Sequence, residues 1–206
     1  MRNVTSDLSV VIQAGGRSSR MGENKKTMLF QGIPLVQRVY ERINKISDEI
    51  LVVSNSPEEL DFLNCRIFPD IIPNIGPIGG MYTAMEIASH NYVAVVACDL
   101  PFVNKEILLE AKKILMKNGA DVAIPKTGPD YYEPLHAVYR RNACKDAIEQ
   151  SIKDKEYRLV SWLSKVKVIE MNDLLISKLD PGHLAFININ TKNDFEQAEK
   201  IASGLK

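Results

Sequence analysis

The stretch "VVIQAGGRSSRMGENKK", residues 10–26, is an apolar run that breaks at Gly15 and Gly16 and then carries four positive charges, on Arg17, Arg20, Lys25 and Lys26. A buried strand that leads directly into a glycine turn and a basic loop suits a phosphate-rich ligand. Two familiar phosphate loops are excluded by spacing. Five residues separate Gly16 from Gly22, and Glu23 stands where a Walker A loop has lysine. The glycines do not follow G-x-G-x-x-G either, so a dinucleotide fingerprint fails. What the stretch does offer is backbone N–H groups at Ala14, Gly15 and Gly16, where missing side chains let oxygens approach. A solvated strand-to-helix turn with ordinary basic residues is the competing reading of these residues alone.

Outward from this stretch, short apolar runs alternate with amphipathic ones. Leu8–Gln13, Ile50–Val53, Arg66–Pro69, Tyr92–Ala97, Val122–Pro125, Leu135–Tyr139 and Phe186–Ile189 read as strands. Helical spacing covers Pro34–Ile46, Gly79–Ser89, Ala143–Ile152 and Arg158–Leu163. Asn104 is placed to cap a helix that runs to Asn118 and stops at Gly119, and Thr191 with Asp194 to cap a final one. This alternation predicts βαβ units, hence an α/β fold with a mostly parallel sheet covered on both faces. With 206 residues and no convincing linker or repeat, residues 1–206 read as a single domain.

Charge places function in a local site. Lys+Arg and Asp+Glu both number 26, so no global field favours nucleic acid or an anionic membrane. No apolar run approaches the roughly 20 residues of a membrane span. The three cysteines, Cys65, Cys98 and Cys144, form neither a CxxC pair nor an even disulfide set, and a reducing cytoplasm is expected.

Ligands of open parallel sheets bind outside the carboxyl ends of the strands. Those ends here are Gln13-Ala14-Gly15-Gly16, Ser54-Asn55, Pro69-Asp70, Cys98-Asp99 and Asn188-Ile189-Asn190, all small or polar after apolar runs. Asp99 follows YVAVVAC directly, where a carboxylate suits Mg²⁺, which takes hard oxygen ligands and keeps several waters. Its alternative is a turn aspartate before Leu100-Pro101. Gly76-Pro77-Ile78-Gly79-Gly80 opens a helix whose N-terminus suits a base or an anion, or is simply a tight connection.

AGGRSSRMGENKK resembles the AGGxxxRMGxxK signature of nucleotidyltransferases that couple a nucleoside triphosphate to a phosphorylated acceptor. Within them the chain is most similar to the molybdenum cofactor guanylyltransferase family, through FQGIPLVQRV, LVVSNS, PDIIPNIGPIGGMYTAM, VAVVACDLPFV, EPLHAVYRR and FININT, in that order. The resemblance implies a three-layer α/β/α Rossmann-like nucleotidyltransferase fold. It also implies GMP transfer from GTP to the phosphate of molybdopterin, giving molybdopterin guanine dinucleotide and pyrophosphate, with Mg²⁺ as cofactor. Transient contact with cofactor-synthesis proteins or acceptor molybdoenzymes is consistent with that role, and neither nucleic acid nor membrane is an expected partner. The alternatives are a relative that uses CTP or another phosphorylated acceptor, and a non-catalytic nucleotide- or pterin-binding carrier.

Carried over by position, the resemblance makes Arg20, Lys26 and Asp99 catalytic. Arg20 and Lys26 would hold the triphosphate while pyrophosphate leaves. Gln13, Ala14, Gly15, Gly16, Lys26, Asn55, Asp70, Gly79 and Asp99 would contact the nucleotide, and Asp99 with Asn190 would hold the metal, Asn188 being the neighbouring candidate. Two positions depart from the family pattern: Gln13 stands where an aliphatic residue is usual, and Lys25 where an acid is common. His136 falls on a strand near the acceptor side, and Trp162 is expected to pack rather than to stack on a pterin. None of the histidines or cysteines has zinc-ligand spacing, and no cysteine has a partner base in sequence.

Overall fold

The computed structural model describes residues 7–15, 25–129 and 131–204. In chain order the elements are β1 (Leu8–Gln13), β2 (Leu29–Phe30), β3 (Ile33–Pro34), α1 (Leu35–Ile43), β4 (Glu49–Val53), β5 (Arg66–Phe68), α2 (Pro77–Ile87), β6 (Tyr92–Ala97), α3 (Lys105–Asn118), β7 (Val122–Gly128), β8 (Tyr131–Tyr132), β9 (His136–Arg140), α4 (Arg141–Lys153), β10 (Val168–Met171), α5 (Asp173–Leu179) and α6 (Lys192–Gly204). Among the described residues the main sheet runs β10-β7-β9-β6-β1-β4-β5, with β8 against β7. β6, β1, β4 and β5 are mutually parallel, as are β7 and β10, whereas β9 runs antiparallel to both its neighbours.

Period-2 alternation explains why both sheet faces are dry. Val10 and Ile12 of β1 face Val36 and Val39 of α1 and share their cluster with Ile107 and Leu108 of α3. Val11 and Val95 face the other way, onto Ile78, Met81 and Met85 of α2 and Ile148 of α4. The result is the expected three-layer α/β/α arrangement with a mostly parallel sheet. No helix among the described residues is long and apolar enough to cross a membrane. Helix ends follow local chemistry: the Asn104 side chain accepts from Glu106 N–H at the start of α3, and Gly119 ends it with φ 54° and ψ 40°. Asp194 Oδ2 accepts from the N–H groups of Asn190 and Thr191, and Thr191 Oγ1 accepts from Asp194 N–H, a reciprocal cap at the start of α6.

Two expected elements differ. Phe186–Ile189 is not a strand; residues Leu184–Phe186 form a 3-10 turn and the chain then runs extended. Its apolar-polar alternation is strand-like, but β6 already has β1 on one side and β9 on the other, so no ladder position is open. Arg158–Leu163 is replaced by a shorter 3-10 turn, Ser161–Lys165, around fully buried Trp162. Trp162 packs 5.7 Å from the Tyr139 ring and donates Nε1–H to Leu159 O, as a packing residue should. Unforeseen in the sequence are β10 and α5, the latter capped by Asn172, which accepts from Leu175 N–H.

At the amino ends of the strands, opposite the expected site, a buried carboxylate ties the sheet together. Burial by itself would raise the pKa of Glu49, but hydrogen bonds from Ser9 Oγ (2.5 Å), Ser89 N–H (2.8 Å) and Arg66 Nη2 (2.6 Å) outweigh it and hold the carboxyl at about 2. A folded-state pKa below the ordinary 4.5 stabilises the fold above that pH, and the stabilisation fades as pH falls towards 2. Glu49→Gln is therefore expected to lower the unfolding free energy by about 2–3 kcal/mol at pH 7 and by less than about half of that at pH 3. Urea midpoints at the two pH values measure this, and equal losses at both would contradict it.

Candidate active site

The carboxyl edge of β1, β4, β5 and β6 gathers most of the expected residues. β1 is extended by Ala14 N–H to Val53 O (2.8 Å) and by Cys98 N–H to Gln13 O (3.0 Å). Ala14 therefore has no backbone N–H to spare for a phosphate, contrary to the expectation that it donates with the glycines. Gly15 is the first residue beyond the ladder; it is exposed, and a Cβ there would meet nothing within 4 Å. Gly16 and Arg20, and also Arg17, lie outside the described residues.

Lys26 is brought to this edge from the end of the basic stretch. Its side chain is buried, with Nζ 2.9 Å from Ser54 Oγ at the end of β4 and 2.7 Å from Glu59 Oε2. Asn55 and Asp70 meet in a reciprocal pair: Asn55 Nδ2–H donates to Asp70 Oδ2 (2.7 Å) and Asp70 N–H to Asn55 Oδ1 (2.9 Å). The adjoining Ile71 N–H is held by Thr83 Oγ1 of α2, which in turn donates to Gly79 O. The Asp70 loop is thereby anchored to the helix beside it.

The two glycines of α2 act by close approach. A Cβ on Gly79 would lie 2.7 Å from Ile72 O, and Gly79 N–H donates to Gly76 O. Gly79 thus lets the 72–75 loop pack on α2. A Cβ on Gly80 would lie 3.0 Å from Gln13 Oε1 and 3.5 Å from Asp70 Oδ1. Gly80, noted in the sequence only as part of the 76–80 run and not as a site residue, is what lets Gln13 and Asp70 converge. Gln13 is 8% exposed, and its Nε2 has no hydrogen-bond partner among the described residues. A buried amide donor left unmade costs free energy, which a ligand acceptor would recover.

Asp99 follows β6 at the centre of the edge, and Asp99 O accepts from Ile189 N–H (3.0 Å), which brings Asn190 beside it. A cluster of Phe30, Leu35, Phe102, Ile189, Ala198 and Ala202 holds both segments, with Phe102 and Phe195 edge-on to Phe30 at 6.0 and 5.8 Å. Arg38 and Arg42 of α1 donate Nε–H to Pro101 O and Val103 O and fix the loop from beneath. Among the described residues no group of three or more His, Cys, Asp or Glu could hold a metal ion. One carboxylate and an amide oxygen suit a hard cation whose remaining ligands are phosphate oxygens and water. His136 is not at the surface of this edge. It is fully buried, burial lowers its pKa, and its ring nitrogens face Asn104 O (3.1 Å) and Ala185 O (3.3 Å).

A mostly parallel sheet flanked by helices, with Lys26 and Asp99 at its carboxyl edge, is the arrangement of the Rossmann-like nucleotidyltransferases. The MobA-like NTP transferase domain matches residues 10–168. The chain belongs to that family, and its similarity to molybdenum cofactor guanylyltransferases covers nearly its whole length. It is 34% identical over 201 residues to a protein of Natranaerobius thermophilus named "Probable molybdenum cofactor guanylyltransferase", covering 96% of this chain and 97% of the relative. It is 30% identical to the molybdenum cofactor guanylyltransferase of Desulfosudis oleivorans, covering 92% and 93%. Among solved structures, molybdopterin-guanine dinucleotide biosynthesis protein A from Archaeoglobus fulgidus superposes with a TM-score of 0.83 at 28% identity, covering 95% of this chain and 99% of that one.

Proposed function

We propose that the chain transfers GMP from GTP to the terminal phosphate of molybdopterin, forming molybdopterin guanine dinucleotide and releasing pyrophosphate. The observation that carries this is the convergence of Gln13, Lys26, Asn55, Asp70 and Asp99 on one sheet edge in a chain of this family. A phosphate oxygen of the acceptor attacks the α-phosphorus as the bond to pyrophosphate breaks. The acceptor is already an anion, so no strong general base is required, and positioning and charge neutralisation carry the rate. Gly15, Gly16 and Arg20 line the phosphate path with Lys26, whose ammonium meets the charge that grows on the leaving pyrophosphate. Asn55 and Asp70 contact the nucleotide from the ends of β4 and β5, while Ala14 and Gly79 shape the backbone around it. Asp99 and Asn190 would hold Mg²⁺, which when bound would supply positive charge to the phosphates.

Gln13 supports a preference for guanine. Its amide N–H groups are donors, and guanine presents O6 and N7 as acceptors where cytosine presents its N4 amine. GTP at about a hundred times its dissociation constant should then raise stability by about 2.7 kcal/mol, with CTP, ATP and UTP giving less at equal concentration. Gln13→Leu should narrow the gap between GTP and CTP. Thermal melts with the four triphosphates and Mg²⁺, together with product formation on adding molybdopterin, test both. Stronger protection by CTP would move the assignment to a cytidylyltransferase.

A further inference from the structure

If GTP lies along β1, β4, β5 and α2 with its α-phosphorus near Asp99, the acceptor must approach from the other side of Asp99, over β9 and β7. What stands there is the ribbon of β7 and β8, which continues past the carboxyl edge. Ala97 N–H donates to Leu135 O (3.0 Å), His136 N–H closes a turn onto Glu133 O (3.1 Å), and Glu133 N–H donates to Pro125 O (3.0 Å). The turn from Glu133 to His136 thus sets Glu133 against Pro125 and Thr127 at the end of β7, on the carboxyl side of the sheet.

The surroundings of this carboxylate are unusual. Thr127 Oγ1 donates to Oε1 (2.8 Å), while Oε2 receives no hydrogen bond among the described residues. No described Lys, Arg or His comes within 4.0 Å of it, although Lys126 is close in the ribbon. Lys126 is directed to Glu170 on β10, with Nζ 3.1 Å from both carboxylate oxygens. Burial pushes the Glu133 carboxyl up from its ordinary range, against the opposing hydrogen bond from Thr127. Two residues earlier on the same extended run, Tyr131 is 73% exposed. A large aromatic ring in water beside a half-dehydrated carboxylate is a poor arrangement for the free protein and a good one for a flat ligand edged with N–H donors.

We propose that Glu133 reads the pterin ring of the acceptor: its carboxylate accepts the paired N–H donors of the 2-amino-4-oxopyrimidine edge, Thr127 fixes one of its oxygens, and Tyr131 offers a ring face for stacking. This rests on the guanylyltransferase reading above and adds the residue that recognises the acceptor. It makes Glu133 a specificity residue that leaves the nucleotide side untouched.

The test uses the full chain and two fluorescent probes, 6-hydroxymethylpterin and 6-hydroxymethyllumazine, in which an oxo group replaces the 2-amino donor. The native chain should bind the pterin at least tenfold more tightly than the lumazine, and Glu133→Gln should abolish that preference while GTP binding stays within twofold. With molybdopterin as acceptor, Glu133→Gln should raise its KM at least tenfold and leave the KM for GTP within twofold. Equal pterin and lumazine affinity in the native chain, or an unchanged preference in Glu133→Gln, overturns the inference whatever the turnover result. Failure of the native chain to form dinucleotide from GTP and molybdopterin, with the pterin preference intact and lost in Glu133→Gln, would overturn the guanylyltransferase reading and leave pterin recognition standing.

Discussion

Asp99→Ala is expected to lower turnover at saturating GTP and molybdopterin by about 10³-fold or more, on the order of 4 kcal/mol in the barrier. The reason lies in its position. β6 is buried along its length between β1 and β9, so the first residues past its end are held by the whole sheet rather than by a loop. The loop that follows is fixed by Arg38 and Arg42 from α1 and by Phe102 in the aromatic cluster, and the opposing segment by Ile189. These contacts hold the loop through the Pro101 and Val103 carbonyls and through Phe102 and Ile189, so the variant should fold and its thermal transition should stay close to that of the native chain. Initial rates across a Mg²⁺ titration, with melting curves beside them, check this. Near-normal activity of the variant at limiting Mg²⁺ would remove Asp99 from the metal site.

Lys26→Ala should lower kcat by about 10²-fold while weakening GTP binding much less, because a cation aimed at the leaving group gains importance as charge moves onto pyrophosphate. The ammonium is already desolvated, held by Ser54 and paired with Glu59. A triphosphate that meets it takes over a position now shared with a half-exposed glutamate, so a preorganised cation waits at the phosphate path. Lys25→Ala should change both quantities by less than about threefold, since the resemblance assigns the triphosphate contact to position 26 and not to position 25. Arginine is an imperfect substitute at position 26, its planar fork being bulkier than an ammonium in a buried slot. Steady-state kinetics beside calorimetric GTP binding, for both variants, separate the two lysines. A greater loss at Lys25 would shift the register of the loop by one residue.

Much of the architecture was legible in the chain because it rests on local rules. YVAVVA and LSVVIQ are continuous apolar runs of strand length, and parallel strands buried on both faces need such runs. Asn104 and Gly119 bounded α3 correctly because capping is a property of a few neighbouring residues. The same locality made FININ misleading. Its alternation is that of a strand, yet a strand needs a free neighbour, and the central sheet has none to offer there. β10 escaped notice because four residues with a polar Glu170 form only a short edge strand, defined by its pairing with β7.

The site divides in the same way. Sequence by itself determined which residues end the strands, and the topology rule of parallel sheets then put Asn55, Asp70 and Asp99 on one edge. It also determined the two departures, Gln13 and Lys25, since identity is all that a departure requires. Only the tertiary structure decided what those residues do to one another. Ala14 loses its donor to Val53, Asn55 pairs with Asp70, Lys26 turns inward to Ser54, and Gly80 opens the space in which the Gln13 amide comes to lie. Each of these depends on residues far apart in the chain meeting within about 3 Å, and a hydrogen bond or a steric limit at that distance leaves no periodic trace in sequence. Glu133 shows it most plainly: an ordinary glutamate by composition becomes a half-buried carboxylate held by Thr127, while Lys126 beside it in sequence pairs with Glu170 of β10.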